Sequence, residues 1–573
     1  MFHAITTATR DALLERVTEL EQALVAERAA RAAEQSRADD AVAERDRLRD
    51  AYRHLQLQVE LARRRLVVAK AERIDTTQLQ LEFAAKLAAL DALGGQLDPA
   101  SAGDAPADRP DKPTHCKKRR PGGRRDLKQM DLPEERIEIS DPALEGTAPR
   151  MGTEDSCKLM WRRGGFVRLV VARVKYRVAE AATDTTPAIA TAETPAELIV
   201  RSLAAPSLLA HVVSDKLCDG LPLHRQEDRF ARLGARIDRG TMCRWLEDLG
   251  MTVGTTVVAA MRDDALAHAF CIATDATGVL VQPIPGGDQV RRACRRGHYF
   301  VQIADADHVF FEYTAKETSA TVGALFRGFS GYIQADAKSV YDLLFKPPDQ
   351  RPPPKDGEPD LAVRHEVGCW SHLRRKLWEA AITKDVVARE GLARISRIFA
   401  LDRAWRGQPA SEIKSLRDIH LRPHTDAFFA WVDAEYERVR DQRGLLRTAL
   451  GYGHRQRVPL TRFYDDGRLK LDNNASEREL RRIAVGRKAW LFVGSDDHAQ
   501  AAGNLLTLIA SARLHRLDPE LYLRDLFRVL PHWPRGRFLE LCPRDWLATR
   551  ARLDPAELER ELGALTVPPP SAQ

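Results

Sequence analysis

Residues 270–345 constrain the fold more than any other part of the sequence, because short apolar runs with strand-like alternation follow one another there. FCIATDATGVLVQP, GHYFVQIADADHVFFEYTA and GYIQADAKSVYDLLF each predict β-strands, and helical sequence follows them. Asp275 and Asp336 are expected near the ends of the first and last strands. A single Asp at a strand end is usually a turn former or a helix N-cap. The pattern predicts an α/β core.

A third acidic residue, Glu477, occurs in the basic stretch LDNNASERELRRIAVGRKAW. This stretch predicts a helix that begins near Ala475. Glu477 could have a purely structural role there, since it could complete a capping box with Asn474 and form a surface ion pair with Arg481. The stretch alone therefore does not decide between a structural and a catalytic carboxylate.

The acids predicted on two strands and one helix indicate a catalytic site only when they are considered together. Asp275, Asp336 and Glu477 could converge to hold two Mg²⁺ or Mn²⁺ ions, as metal-assisted phosphoryl transfer requires. Basic side chains near such a site suit a phosphate backbone, and their contribution to binding should weaken with salt. The candidate DNA-binding residues are Arg239, Arg244, Arg374, Arg478, Arg481, Arg487 and Lys488.

Length and composition indicate a multidomain globular protein. The chain has 573 residues, of which 44% are hydrophobic and 30% charged, and 89 Lys and Arg against 82 Asp and Glu give a net charge of +7. The basic residues cluster, which is typical of polyanion-binding proteins, although each cluster could be a solvated face. Eight cysteines without a CxxC pair, and the lack of a signal sequence or long apolar run, predict a cytoplasmic protein that does not enter a membrane.

Residues 1–93 predict self-association. Apolar residues from Leu13 to Leu24 and from Leu48 to Leu66 recur at alternating spacings of four and three, and the two blocks share one heptad register. This pattern predicts a coiled coil and a homo-oligomer, although a long helix folded against its own domain has the same pattern. Residues 94–130 are rich in Gly, Pro and basic residues, which predicts a linker.

Two modules are predicted between this linker and the core. Alternating residues predict a small β-rich module at 131–180, in which Cys157 alone cannot build a zinc site. LIVRSLAAPSLLAHVVSDKL, LPLHRQEDRFARLG and IDRGTMCRWLEDLG predict three helices within 190–255. They suggest a helix-turn-helix that exposes Arg239 and Arg244 to DNA, although structural three-helix packing fits the same pattern.

The predicted core spans residues 256–495, and a helical region at 496–573 follows it. Within the core, HEVGCWSHLRRKLWEAA predicts a strand that leads into a basic helix. Its histidines and Cys369 suggest structural side chains and a buried thiol rather than a metal site. Repeated Arg and Leu without catalytic spacing predict a helical insertion at about 382–465.

Five ordered motifs resemble the transposases of the insertion sequence 66 family. They are ATDATG at 273–278, GFSGYIQADAKSVYD at 328–342, CWSHLRRKLW at 369–378, DNNASERELR at 472–481 and GRKAWLFVGS at 486–495. The resemblance also covers the N-terminal heptads, LPEERIEI, LLAHVVSDKLCDGLPLHRQE and the C-terminal helices. Motifs that keep their order across long intervals are far more specific than isolated acids.

The resemblance implies a ribonuclease H-like catalytic core, a mixed sheet flanked by helices with a helical insertion before the third acid. It matches Asp275, Asp336 and Glu477 to the acidic triad of these DDE-type transposases. It also implies metal-dependent cleavage at the ends of a mobile element, strand transfer into target DNA, a nucleoid-associated bacterial protein and small co-encoded accessory partners. The Cys-rich zinc module of many members is reduced here to Cys157, so zinc is not expected.

Two other functions remain compatible with the sequence. A protein from a decayed element could bind DNA without cutting it, through the coiled coil and the helix-turn-helix. A ribonuclease H-like nuclease without strand transfer would share the acids and the metal ions. Joined DNA products would distinguish a transposase from both.

Overall fold

The computed structural model describes residues 132–162, 164–177, 189–283, 293–352, 360–382 and 385–570, with Arg16, Glu27 and Leu127 as isolated positions. From Leu127 onward these residues belong to one unit, Arg120–Gln573. The predicted coiled coil and linker lie outside the described residues, apart from these isolated positions. The described part combines helices with two mixed β-sheets, which confirms the α/β prediction.

The first sheet has four strands and occupies the segment where a β-rich module was predicted. Its strands are β1 (Glu134–Ile139), β2 (Arg150–Arg162), β3 (Gly165–Arg177) and β4 (Ile189–Thr191). Because β3 pairs in parallel with β1 and antiparallel with β2 and β4, it is the centre of the sheet. Cys157 of β2 is half-buried against the main apolar core.

Three helices follow, α1 (Pro206–Leu217), α2 (Leu223–Arg232) and α3 (Arg239–Val253). The prediction of a helix across LIVRSLAAPSLLAHVVSDKL is wrong in its first part. Proline is tolerated in the first turn of a helix but not in its interior, so α1 begins at Pro206, and the preceding Ala204 bridges to Leu159 of β2. After a π-helical turn at Gly254–Val258, α3 continues into α4 (Ala259–His268).

The second sheet has five strands in the order β7-β6-β5-β8-β9. Strand β6 is antiparallel to β5 and β7, whereas β5, β8 and β9 are parallel. A short helix, α5, connects β7 to β8. The elements are β5 (Cys271–Val281), β6 (Arg295–Ala304), β7 (His308–Thr314), α5 (Ser319–Leu325), β8 (Gly331–Gln334) and β9 (Arg364–Val367).

Asp275 lies in the middle of β5, so the expectation that it lies near a strand end is wrong. Antiparallel pairing with β6 continues through Val281 and extends the strand. The parallel pairing of β5 with β8 stops at Ala273, two residues before Asp275. Asp336 does follow the end of its strand, β8, by two residues.

A helical region separates β9 from the helix of the third acid. Trp370, Phe428, Phe429 and Phe463 belong to an apolar core that this region largely builds for itself. The indole N–H of Trp370 donates to the carbonyl oxygen of Leu460 at 2.8 Å, which joins the start of the region to its end. Its helices are α6 (Trp370–Ala381), α7 (Val386–Ala404), α8 (Ala410–Leu416), α9 (Arg422–Val439), α10 (Leu445–Arg455) and α11 (Arg457–Thr461).

Helices cover both faces of the second sheet. Ile272 and Phe300 on one face pack into the core that α3, α4 and the C-terminal helices share. Val301 on the other face packs with Leu480 and Leu506 from two later helices. The remaining helices are α12 (Asn474–Trp490), α13 (Asp496–Leu514), α14 (Pro519–Val529), α15 (Trp546–Arg550) and α16 (Pro555–Glu559).

Helix α13 also covers the edge of this sheet. The backbone N–H of Phe311 in β7 donates to Thr507 Oγ1 at 2.9 Å, and that of Val309 donates to Ser511 Oγ at 3.0 Å. Hydroxyl groups four residues apart on α13 therefore accept from backbone N–H groups that an uncovered edge strand would leave without partners. Among the helices that the structure describes, none is both long and apolar enough to cross a bilayer.

Candidate active site

The segment before α12 brings several elements of the core together. Gln334 at the end of β8 donates from Nε2 to the carbonyl oxygen of Lys470 at 2.7 Å. The backbone N–H of Trp370, the first residue of α6, donates to the carbonyl oxygen of Leu471 at 2.9 Å. Asn473 completes the junction by donating from Nδ2 to the carbonyl oxygen of Thr274 in β5 at 2.7 Å. The ends of β8 and α6 and the middle of β5 therefore meet at one place.

Asn473 is the centre of this junction and is only 1% exposed. Its Oδ1 accepts from Ser476 Oγ at 2.6 Å, and its backbone N–H donates to Cys369 Sγ at 3.3 Å. Cys369 is buried, as the sequence suggested for this thiol. Because Thr274 precedes Asp275, the Asn473 amide fixes the start of α12 beside the first acid.

The three predicted acids lie at this junction. Asp275 is on the face of β5 that α12 covers, Asp336 follows β8, and Glu477 is in the first turn of α12. Burial is the main cause that raises the pKa of Asp275 to about 6, and the negative charges of Asp336 and Glu477 raise it too. The charges of Asp336 and Glu477 are therefore close enough to act on the Asp275 carboxyl group.

Basic side chains partly neutralise these acids. Lys338 Nζ lies 3.8 Å from Asp336 Oδ2 and 3.5 Å from Glu317 Oε1. Arg375 of α6 donates to Glu477 Oε1 at 3.1 Å. His372 Nε2 lies 3.7 Å from the same oxygen, and burial lowers the pKa of this histidine.

The sequence did not single out Lys338 or Arg375, and it assigned His372 a structural role. Lys338 could have been found from its position two residues after Asp336. Arg374 and Arg375 are adjacent and both exposed, so only the placement of α6 against α12 shows which of them reaches Glu477.

Neither of the two contacts that the structural alternative expected for Glu477 is the one formed. The Asn474 backbone N–H, which a capping box would use, donates to Asp472 Oδ1 at 3.1 Å. The ion-pair partner of Glu477 is Arg375 rather than Arg481. The helix itself begins at Asn474, one residue before the predicted start.

The donor set is suited to divalent cations, although the side chains do not enclose a site as they stand. Carboxylate oxygens are the ligands that Mg²⁺ prefers, and a cation would stabilise the ionised form of Asp275, whose pKa is raised by burial and by the neighbouring negative charges. Across the described ranges, no three His, Cys, Asp or Glu side chains approach closely enough to hold a metal ion. In the described conformation Glu477 Oε1 accepts from Arg375.

Comparison with models of protein families matches residues 201–501 to the transposase IS66 family. A second match, to the IS66 C-terminal element, covers residues 507–544. The chain belongs to the IS66 family of transposases. The match includes all three acids and the helical region between them, and it confirms the resemblance that the five motifs indicated.

Relatives in Sinorhizobium fredii are similar to this family member over most of its length. Uncharacterized protein y4hP is 25% identical over 526 residues, which cover 86% of this chain and 88% of that protein. Uncharacterized protein y4qI is 27% identical over 355 residues, which cover 61% of this chain and 64% of that protein.

In this IS66 family member, three of the predicted phosphate contacts lie on one face of α12. Arg478, Arg481 and Lys488 are exposed and are separated by three and seven residues, which places them along one side of a helix. Arg487 is half-buried, and its guanidinium donates to Thr277 Oγ1 at 3.1 Å and to the carbonyl oxygen of Gly278 at 2.6 Å. In the described conformation Arg487 therefore attaches α12 to β5.

The other predicted contacts lie on different elements. Arg374 is exposed on α6 beside Arg375. Arg239 and Arg244 are exposed near the start of α3, and Arg244 donates to Thr241 Oγ1 of its own helix at 3.2 Å. Further along, Gly250 packs so closely on α13 that an added Cβ would lie 2.3 Å from the Ala501 carbonyl oxygen.

Proposed function

We propose that this chain is a metal-dependent transposase that cuts DNA at the ends of its element and joins the freed 3′ ends to target DNA. The observation that carries the proposal is the placement of Asp275 on β5, Asp336 just after β8 and Glu477 in the first turn of α12 around one junction. Membership of a transposase family supports the same chemistry.

The arrangement of the second sheet supports a ribonuclease H-like core. Asp275 on β5 and Asp336 just after the adjacent strand β8 lie near the first turn of the helix that packs across the sheet and carries Glu477. The helical region between β9 and α12 fits the insertion expected before the third acid. The three-helix unit α1–α3 is the corresponding candidate for the helix-turn-helix.

In this mechanism Asp275, Asp336 and Glu477 would hold two Mg²⁺ or Mn²⁺ ions. When bound, such ions would activate water for cleavage and stabilise the leaving 3′ oxygen. Glu477 would have to give up its ion pair with Arg375 for that role. The Arg375 guanidinium would then be free to pair with a DNA phosphate.

The exposed basic residues would bind the DNA backbone, and these contacts by themselves would not distinguish one DNA sequence from another. Arg478, Arg481 and Lys488 on α12, with Arg374 on α6, would neutralise phosphates near the cut. Arg239 and Arg244 on α3 would contact DNA through the helix-turn-helix, and Arg487 would contribute only after leaving β5. A homo-oligomer formed through the coiled coil would pair two element ends, with small co-encoded proteins as further partners.

The test is cleavage of a labelled duplex that carries the element's own end, with Mg²⁺ or Mn²⁺, in the presence of target DNA and the co-encoded proteins. Asp275→Asn and Glu477→Gln should each reduce cutting at least about 100-fold, because each removes a group needed at the reacting phosphate. Glu479→Gln is the matched control, since Glu479 pairs with Arg482 on the same helix. All three variants should retain DNA binding.

The products separate the proposal from its alternatives. Joined products from the wild type support a transposase, whereas cut ends that never join indicate a nuclease of the same fold. Binding without metal-dependent cutting indicates a DNA-binding protein from a decayed element. Cutting by Glu477→Gln at the wild-type rate would remove Glu477 from the catalytic set.

A further inference from the structure

The C-terminal end of α12 has an exposed apolar corner that the proposed function does not use. Leu491 is 61% exposed and Phe492 is 41% exposed. Val485, one of the helix residues before them, is 66% exposed as well. Scattered apolar residues are normal on surfaces, but neighbouring ones beside basic residues indicate an interaction site.

The backbone holds this corner in an uncommon conformation. Leu491 has a φ of 63° and a ψ of −48°, and the Phe492 N–H donates to the Trp490 carbonyl oxygen at 2.7 Å. These values describe a γ-turn of the rare type that is strained for a residue with a side chain. Strain of this kind persists only where the surrounding structure fixes it.

Contacts with β5 fix the residues just after the corner. The backbone N–H of Val493 donates to the carbonyl oxygen of Leu280, and that of Gln282 donates to the carbonyl oxygen of Val493, each at 2.8 Å. The chain therefore leaves α12, turns sharply at Leu491 and is bound to the end of β5. This attachment holds two large apolar side chains at the surface instead of letting them fold against the core.

The corner lies just beyond the C-terminal end of the basic face of α12. Arg478, Arg481, Val485 and Lys488 are exposed at successive spacings of three or four residues, and Leu491 and Phe492 directly follow the end of the helix. Glu477 lies beside the other end of this face. Helix geometry puts Leu491 about 21 Å from Glu477 along the axis, which is about six base pairs of B-DNA.

We propose that Leu491 and Phe492 enter the base stack of DNA that lies along α12, and unstack a base step about six base pairs from the bond cut at the acidic site. The inference rests on the proposed function, since it takes the DNA path from the basic face. Apolar side chains that enter a base step partly unstack it and kink the duplex. The aromatic ring of Phe492 then stacks on the exposed base.

The test measures base unstacking and cleavage on the same duplex. A set of element-end duplexes carries 2-aminopurine at successive positions from the cleavage site, because its fluorescence rises when the base leaves the stack. With the full-length wild type, one or two adjacent positions about six base pairs from the cut should brighten. A Leu491→Ala, Phe492→Ala double variant should lose this signal while still binding the duplex.

Two controls separate a loss of unstacking from a loss of folding. Leu547→Ala removes a leucine of similar exposure, 63%, from α15 and should behave as wild type. A mismatch at the brightened step, which reduces the energy needed for unstacking, should restore cleavage by the double variant at least about tenfold, or ~1.4 kcal/mol. A variant that had merely misfolded would not recover on the mismatched duplex.

The outcomes distinguish this inference from the proposed function. Wild-type protein that binds without brightening any position overturns the unstacking role, whether or not it cuts the DNA. Brightening that persists in the double variant also overturns it. Brightening that depends on Leu491 and Phe492 without any cleavage supports the inference and counts against the catalytic proposal. Failure of the wild type to bind element ends overturns both.

Discussion

Replacing Asn473 by Ala tests whether the junction before α12 assembles the acidic site. The substitution removes the amide that donates to the Thr274 carbonyl oxygen and the oxygen that accepts from Ser476. The surroundings are closed, since Asn473 is 1% exposed and Ser476 is fully buried. Water therefore does not easily replace the lost partners.

The expected loss of stability follows from these two hydrogen bonds. A buried polar group left without its partner costs about 1–3 kcal/mol, so two such groups cost roughly 2–6 kcal/mol. Because the entropy of unfolding is about 2.1 cal/mol/K per residue, a unit of about 450 residues should melt roughly 2–6 °C lower. Catalysis should suffer further, because a displacement of about 1 Å at a reacting centre can cost on the order of 100-fold.

Thermal melting and the element-end cleavage assay measure the two effects separately. Asn473→Asp keeps an acceptor for Ser476 but places a carboxylate oxygen against the Thr274 carbonyl oxygen, so it should also lose cleavage. Asn474→Ala is the matched control, because Asn474 is the exposed neighbour. If Asn473→Ala melted within about 1 °C of wild type and cut DNA at the wild-type rate, the junction would not be what positions the acids.

Three further predictions test packing, charge and DNA binding. Gly250→Ala should destabilise the protein by about 1–3 kcal/mol, because the added Cβ would meet the Ala501 carbonyl oxygen. Gly323→Ala, whose Cβ would meet nothing within 4 Å, should stabilise α5 by up to ~1 kcal/mol, and equal shifts of the melting temperature in the two variants would contradict this packing. The pKa of Asp275 is about 6 in the folded protein, against an ordinary 3.8, so the folded state holds this proton more tightly than the unfolded state does. The stability that the bound proton contributes is lost as the pH rises through 6. Asp275→Asn should therefore stabilise the metal-free protein by up to ~3 kcal/mol near about pH 7.5, measured as a higher melting temperature, and have little effect near about pH 4; a lower melting temperature at the higher pH would contradict the unfavourable burial and repulsion of the Asp275 charge. Arg481→Ala should weaken binding to all DNA sequences alike and reduce the slope of log affinity against log salt concentration by about 1. Arg482→Ala should leave this slope unchanged, because the Arg482 guanidinium pairs with Glu479, and a reduced slope in both variants would show that the difference in exposure does not decide which arginine binds phosphate.

The strands and helices that carry the acids could be predicted from sequence because their signals are local. The alternation around Asp275, the short apolar strand before Asp336 and the basic helix of Glu477 each extend over fewer than 20 residues. The wrong position of Asp275 within its strand has a non-local cause. Pairing with β6, on the far side of a hairpin, extends β5 beyond the point where its own sequence suggested an end.

The contacts that assemble the site could not be predicted, because they join residues far apart in the chain. The sequence did not single out Asn473, yet its side chain donates to the backbone carbonyl oxygen of Thr274, 199 positions earlier. Arg375 and Arg374 are equivalent in sequence terms, and only the packing of α6 against α12 assigns Glu477 to one of them. Local patterns predict elements, whereas the partners of a buried polar group depend on how those elements pack.

The position of α12 connects the electrostatics of the acidic site with the DNA surface. Burial and the neighbouring negative charges of Asp336 and Glu477 raise the pKa of Asp275, while Lys338 and Arg375 supply positive charge from the chain itself. If metal ions bound the acids, as we propose, Arg375 would be available to an incoming DNA phosphate. The same helix begins at the acids, exposes its basic face and ends at the apolar corner. A shift of α12 on β5 would therefore move Glu477, the basic face and the apolar corner together, and Arg487 and Asn473 attach both ends of this helix to that strand.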